Sequence, residues 1–372
     1  MRRYFLLLPL ASFIAYCNNS SGGDSNDAAP DVTIEAGPAA PYTVTLLDHA
    51  HIGSDSSKPD FQRASAPNVL LANGPFSNVN LVVDLTSPCF PFSNWQTDPP
   101  PSGQNWPADC DAFDRNFEMS LVDPQEVDAS SAVVAQPLPA LELVRAITPF
   151  GGPEHIEQDV TDAFNAITTP RTFQIIIPSY SDSAGQVSGS NGGWYVSAHL
   201  DVTPGAPPRN VLSVTSLIYD SLGSNESGQT TTLPFTLPGA TTSTTIEYRV
   251  TGHGGATDTT GECIGPADEF CKRTHVVAID GKTIDTVIPW RQDCQTLCTL
   301  TDAGAPFTYC QQNPCGDPNS VRAPRANWCP GSETQPIVYN PQLTPGDHQM
   351  SFTINNIAGD WRVSATVYAY GD

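Results

Sequence analysis

Val276-Val277-Ala278-Ile279-Asp280-Gly281-Lys282-Thr283-Ile284-Asp285-Thr286-Val287-Ile288 is two β-branched runs separated by Asp-Gly. Both turn residues tolerate positive φ, so the stretch predicts a two-residue β-hairpin. The same pattern recurs between Pro41 and Asp372, where short β-branched and aromatic runs are broken by Gly, Pro, Asn and Asp. The clearer strands are expected at Asn78 to Leu85, Phe117 to Val122, Leu141 to Ile147, Phe173 to Ile177, Trp194 to Val202, Val211 to Tyr219, Thr245 to Val250, His275 to Ile279, Met350 to Ile354 and Trp361 to Tyr370. The 35 prolines disfavour long helices, because each interior proline removes an N–H and clashes with the preceding turn. The class is all-β, and strands of this length spaced by turns build sandwiches.

Outward from these strands, the N-terminus has a different character. Met1-Arg2-Arg3 precedes an apolar run from Tyr4 to Ala15, too short to span a bilayer and typical of an export signal. Ile14-Ala15-Tyr16-Cys17 resembles a bacterial lipobox, which predicts residues 1–17 as a signal peptide and Cys17 as a lipidated N-terminus, although Tyr16 is bulkier than the residue usual there. Residues 18–41 are Ser, Gly, Asp, Asn, Ala and Pro with almost no core formers, so they are expected to be a disordered tether. The body divides into two units, 42–187 and 188–372, at the Ser/Gly/Asp/Asn-rich stretch around Val187. Within the second, residues 292–331 carry five cysteines and few strand formers and are expected to be a long loop stapled to that unit.

The formal charge of −23, from 39 Asp and Glu against 16 Lys and Arg, disfavours nucleic acid as a partner, and no basic stripe offsets it. Ten cysteines in an exported chain argue for disulfides. Setting Cys17 aside for lipid leaves an odd number. The pairings expected are Cys89 with Cys110, Cys263 with Cys271 and Cys294 with Cys329, with Cys298, Cys310 and Cys315 unresolved. No Cys-x-x-Cys or His-Glu-x-x-His spacing supports a zinc site.

Two separated segments place acids beside a cysteine: Cys110-Asp111-Ala112-Phe113-Asp114-Arg115, and Asp268-Glu269-Phe270-Cys271-Lys272-Arg273-Thr274-His275. A disulfide next to an acid stiffens the backbone that carries it, which is how a catalytic acid pair is held. The structural alternative is that these acids only cap the disulfide loops. His275 is expected to satisfy a core hydrogen bond, and His253 in its glycine-rich turn likewise.

From about Asp84 to Trp361 the chain resembles the peptide:N-glycosidase F family. The matching pieces, in order, are Cys110 to Arg115, Ile147-Thr148-Pro149-Phe150, Asp159-Val160-Thr161-Asp162, Thr251-Gly252-His253-Gly254, Glu269 to His275 and Arg325-Ala326-Asn327-Trp328-Cys329-Pro330-Gly331. The resemblance implies two side-by-side eight-stranded antiparallel jelly rolls and hydrolysis of the bond between Asn and the first N-acetylglucosamine of an N-linked glycan. It places the principal catalytic aspartate on Asp114, its assisting glutamate on Glu269, and the accompanying arginines on Arg115 and Arg325. A third family carboxylate falls on Pro178, which has no side-chain oxygen, so Asp182 would have to supply that function. The aromatic two places later is kept as Tyr180, and the tryptophan usual near Thr251 to Gly254 is missing.

The resulting expectation is an exported, monomeric amidohydrolase in the bacterial cell envelope. It would act on N-linked glycoproteins or glycopeptides, need no metal or organic cofactor, and touch the membrane only through a lipid anchor. The main alternative is a non-catalytic surface lipoprotein that binds glycan or a protein partner in the cleft between the jelly rolls. A remote one follows from the occurrence of the same double jelly roll in copper-dependent peptide hydroxylating monooxygenases, with His49, His51, His348 and Met350 as the ligand candidates.

Overall fold

Alternating burial along the strands fixes which side of each faces a core. Trp194 to Pro204, for example, buries every second side chain almost without exception. The computed structural model describes residues 40–123, 138–182, 184–255, 263–302 and 308–372. The expected signal peptide, Cys17 and the tether as far as residue 39 lie outside the described residues.

The first eight strands are β1 (Tyr42–Ile52), β2 (Arg63–Val69), β3 (Phe76–Thr86), β4 (Asn116–Val122), β5 (Leu141–Ile147), β6 (Glu154–Asp159), β7 (Arg171–Ile176) and β8 (Trp194–Pro204), with a short helix α1 (Thr161–Ala166) between β6 and β7. They form two antiparallel sheets, β1-β8-β3-β6 and β5-β4-β7-β2. Between these sheets lies a core that includes Leu81, Val83, Phe117, Met119, Phe173, Ile175, Trp194 and Val196.

The second sandwich contains β9 (Val211–Gly223), β10 (Thr230–Leu237), β11 (Ser243–His253), β12 (His275–Ile279) and β13 (Lys282–Val287). A cysteine-rich excursion then carries β14 (Leu300–Asp302), β15 (Thr308–Cys310), the helical turn α2 (Pro318–Arg322) and β16 (Ser332–Glu333). The chain returns with β17 (Ile337–Tyr339), β18 (Gly346–Ile354) and β19 (Asp360–Tyr370). Sheets β10-β18-β12-β13 and β17-β11-β19-β9 enclose Ile246, Tyr248, Val250, Val277, Phe352, Trp361 and Val363. Leaving aside the two-residue β16, the two sandwiches therefore have eight strands each, the side-by-side double jelly roll expected. The β12–β13 hairpin turns at Asp280 and Gly281, whose φ values are 49° and 75°.

Two boundaries differ from expectation. Trp194 to Pro204 pairs with β1 and β3, so the chain leaves the first sandwich after Pro204 rather than near Val187. The polar stretch around Val187 instead supports the first sandwich, where Ser188 and Gly189 donate to the carbonyl of Cys110. The excursion 292–331 is also not an appendage of the second sandwich alone. Cys315 and Gly331 donate to the carbonyls of Phe150 and Ile147, and β16 adds to the edge of β5.

The two sandwiches pack into one compact unit, with sheet β5-β4-β7-β2 facing sheet β17-β11-β19-β9. This explains why all seven residues of β5 are buried: one face meets its own core and the other meets the second sandwich. The shared seam is charged. Glu142 binds Arg145 at 2.8 Å and also accepts from Ser364, while Glu118 receives Arg362 at 2.6 and 2.8 Å and the Tyr219 hydroxyl. Arg145 reaches across to the carbonyl of Arg362 at 2.8 Å. No described helix is long and apolar enough to cross a membrane.

Candidate active site

Each acid-bearing segment begins with a buried ion pair that sets its backbone. In the first, Asp111 is fully buried, accepts from the Phe113 N–H at 3.1 Å and holds Arg115 Nε at 3.0 Å. Thr148, at the end of β5, ties the loop from the other side. Its Oγ1 accepts from the Arg115 N–H at 2.8 Å and donates to the Phe113 carbonyl at 2.9 Å. Cys110 anchors the start of the loop through its bond to Cys89. Asp114 is left projecting between fixed neighbours, with a fifth of its side chain exposed.

The second segment repeats the logic. Asp268 is fully buried and pairs with Arg273, the Trp361 indole N–H at 3.2 Å and the Ala358 N–H at 3.3 Å, beside the Cys263–Cys271 bond. Glu269, next in the chain, projects outward, with 21% of its side chain exposed.

Arg325 joins the two. Its Nη1 donates to Glu269 Oε1 at 2.5 Å, and its Nη2 lies 3.8 Å from Asp114 Oδ2. One guanidinium therefore brings two acids more than 150 positions apart to a single point. Arg325 itself is fully buried, packed over Phe270 and Trp328 at 4.6 and 4.5 Å, and braced by the carbonyl and hydroxyl of Ser320 at 2.9 Å. Its own turn is anchored to the end of β11, since Trp328 Nε1 donates to the Gly252 carbonyl at 2.7 Å and Asn327 Nδ2 to that of Val250 at 2.8 Å. The pieces Thr148, Gly252 and Trp328 thus serve as the frame of the acid pair.

The electrostatics separate the two acids. Burial raises the Asp114 carboxyl to about 7, an effect that Arg325 opposes and the nearby Glu269 charge reinforces. Glu269 is clamped by a charge-assisted bond, whereas Asp114 is held more loosely. Two buried arginine N–H groups, Arg115 Nη2 and Arg325 Nε, have no partner among the described residues. A buried unpaired donor is unfavourable, so both guanidinium groups carry unspent hydrogen-bonding capacity close to the acid pair.

The remaining candidates divide. Tyr180 lies under the Arg115 guanidinium at 4.3 Å and is 56% exposed. Asp182 accepts the Gln186 N–H at 2.8 Å, which closes its own loop, and no contact joins it to the acid pair among the described residues. His275 bonds Tyr248 at 3.0 Å in the core, and His253 bonds Thr251 at 2.8 Å and stacks on Trp328. Burial pushes both imidazoles down to about 3, so both are neutral frame residues. His49 stacks on Tyr195, His51 pairs with Asp60, His348 pairs with Asp280, and Met350 is buried in the second core. Among the described residues no group of three or more His, Cys, Asp or Glu could hold a metal ion.

The structure joins Cys89–Cys110, Cys263–Cys271, Cys294–Cys329 and Cys298–Cys310, and Cys315 is a free thiol. Sequence reasoning missed Ser320, the brace of Arg325. A lone serine in a cysteine-rich loop carries no pattern that could have signalled it.

Residues 222–368 match the family model described as peptide-N-glycosidase F, C terminal. Among solved structures, the chain resembles PNGF-II at a TM-score of 0.64 and 18% identity, covering 89% of this chain and 65% of that one. It resembles PNGase F, a glycosylasparaginase from Flavobacterium meningosepticum, at 0.61 and 16%, covering 90% and 96%. It also resembles a peptide-N(4)-(N-acetyl-β-D-glucosaminyl) asparagine amidase at 0.60 and 16%, covering 89% and 96%. The chain thus spans just under two thirds of the length of PNGF-II. No curated protein sequence matches it.

Proposed function

We propose, for a chain whose residues 222–368 match the family model described as peptide-N-glycosidase F, C terminal, that it is an amidohydrolase releasing N-linked glycans from asparagine. The observation that carries this reading is the convergence of Asp114 and Glu269, each about a fifth exposed, on Arg325. An amide is a poor electrophile, so water needs a base and the departing nitrogen needs a proton. Asp114, with a carboxyl near 7, has the proton affinity to do both at neutral pH.

In this mechanism Asp114 takes a proton from water as its oxygen bonds to the asparagine side-chain carbonyl carbon. The carbonyl electrons move to oxygen, where the field of Arg115 and Arg325 stabilises the charge. Collapse of the intermediate breaks the carbon–nitrogen bond, and the proton on Asp114 passes to the leaving nitrogen. The products are aspartate in the peptide and a glycosylamine. Glu269 locks Arg325 in place and orients the water or the leaving nitrogen. No step calls for a metal or organic cofactor.

The four disulfides suit an oxidising compartment, and export with lipid attachment at Cys17 is the companion proposal. Incubation with a denatured N-glycoprotein, followed by peptide mass analysis, tests the activity. Conversion of glycosylated Asn to Asp is expected, and it should disappear in Asp114→Asn. The loss of a carboxylate at Pro178 favours one second reading, a glycan-binding lipoprotein without turnover. In that case Asp114→Asn would leave glycan binding intact and the wild type would release nothing.

A further inference from the structure

Two loops, each closed by its own disulfide, meet at the far end of a run of rings that leads to the acid pair. Residues 90–109 lie between Cys89 and Cys110, and β14–β15 lies between Cys298 and Cys310. Where the loops touch, Tyr309 lies 6.1 Å from Phe90 and 5.9 Å from Phe92. From Phe92 a run of ring contacts continues through Trp95 at 5.6 Å and Trp106 at 5.9 Å to Phe113 at 6.4 Å. Phe113 adjoins Asp114 in sequence and packs on Arg115 at 5.0 Å.

Trp106 packs on the small buried cluster of Cys89, Cys110 and Ala112, but the rings on either side of it remain partly open to solvent. Phe92 is 40% exposed, and Phe90, Trp95, Trp106, Phe113 and Tyr309 are half-buried. The backbone beneath them is fixed instead by the disulfides and by the Trp95 indole, which donates to the Cys89 carbonyl at 3.1 Å. Rings held at a surface beside two disulfides, and leading by ring contacts to Phe113 next to Asp114, form a preorganised binding ledge.

Composition says what the ledge receives. Residues 90–109 contain no Val, Leu, Ile or Met, so the loop lacks the branched methyl groups that line pockets for apolar peptide side chains. Between its aromatics it carries exposed Asn94, Gln96, Asp98 and Asn105. Planar rings suit the C–H face of a sugar, while neighbouring amides can donate to and accept from its hydroxyls and a carboxylate can accept from them. We infer that Phe92, Trp95 and Tyr309 form a subsite for the outer sugars of an N-linked oligosaccharide, so that the enzyme's substrates are extended glycans rather than a bare core. This rests on the amidase reading of the acid pair and adds the class of glycan.

The test compares two glycopeptides of the same sequence, one carrying a full high-mannose oligosaccharide and one ending at the chitobiose core. Replacing Phe92 and Tyr309 by alanine should lower kcat/KM for the long substrate relative to the short one about tenfold, chiefly through KM. An equal effect on both substrates, or none, overturns the subsite. Free high-mannose oligosaccharide titrated into Asp114→Asn protein separates this inference from the catalytic one. Binding that disappears on adding the Phe92→Ala and Tyr309→Ala changes supports the ledge even if the wild type hydrolyses nothing. No binding at millimolar sugar overturns it even if the wild type is active. Displacement of the sugar by an unglycosylated apolar peptide would reassign the ledge to polypeptide.

Discussion

Asp114 and Asp111 lie three positions apart and differ in what reaches them: Asp111 is sealed in an ion pair, while Asp114 meets both water and a second acid. Because burial lifts the Asp114 carboxyl from its ordinary 3.8 to about 7, kcat/KM should fall as pH drops through about 7, with the lower limb of the pH profile set by this group. The same shift has a stability sign. The folded state holds the Asp114 proton more tightly than the unfolded chain, so the stability this gives is fully present below 3.8 and is lost as pH rises through 7. Asp114→Asn, which carries no charge, should therefore stabilise the protein at pH 8 by up to about 4 kcal/mol and have little effect at pH 4, as measured by urea unfolding at the two pH values. Both acids were legible because each follows the pattern of an acid beside a cysteine and matches a family motif. The burial of Asp111 and Asp268 in ion pairs that brace their loops, beside the projecting Asp114 and Glu269, was not legible, because it depends on where Arg115, Arg273 and Arg325 point.

The loops that carry the acids depend on their staples. Replacing Cys89 and Cys110 by serine should cost about 3 kcal/mol for a loop of this length, a separation of 21, and should lower kcat more than the melting temperature alone explains, because Asp111 to Asp114 lose their anchor. Gly151 stands where these parts converge, with φ +77°; a Cβ there would lie 2.8 Å from both Cys315 Sγ and Cys89 Cβ. Gly151→Ala is thus expected to lower the melting temperature by several degrees, combining backbone strain with overpacking. Burial raises the Cys315 thiol to about 12, so alkylation of the folded protein should be slow and should become fast on unfolding. Which strands were legible follows from position in the sheets. Every interior strand, namely β3, β4, β5, β7, β8, β11, β12, β18 and β19, carries an apolar run that the sequence displays. The unread β1, β2, β6, β10, β16 and β17 are all edges, where polar residues and a proline such as Pro234 in β10 are tolerated because one side of the ladder is open.

In the whole molecule, two sandwiches are held at a fixed angle by a buried charged seam rather than an apolar one. Glu142→Leu, which strands fully buried Arg145, should destabilise by about 3 to 5 kcal/mol, and adding Arg145→Met should recover most of that loss in denaturant unfolding. Glu118 adds a pH dependence of ordinary sign. Burial alone would raise its carboxyl, but Arg362 and Arg145 prevail and hold it near 2 against an ordinary 4.5, so its contribution is present above 4.5 and lost as pH falls through 2. The seam was hidden in the sequence because strict alternation puts Glu142 and Arg145 on opposite faces of β5; the register shift at Leu143, which lies unpaired between Glu142 opposite Ser120 and Val144 opposite Met119, turns both toward the second sandwich. The boundary was misplaced because the polar stretch near Val187 braces Cys110 and the first sandwich recruits β8 beyond it. Seam, frame and loops together serve one arrangement, two acids meeting on Arg325 at the junction. Its most direct test is digestion of a denatured N-glycoprotein in heavy-oxygen water with the wild type, Asp114→Asn and Glu269→Gln, read by peptide mass. One heavy oxygen in each newly formed aspartate, with the yield reduced by orders of magnitude in both variants, is the predicted result. Release of glycan that survives both substitutions, or aspartate formed without the label, would contradict it.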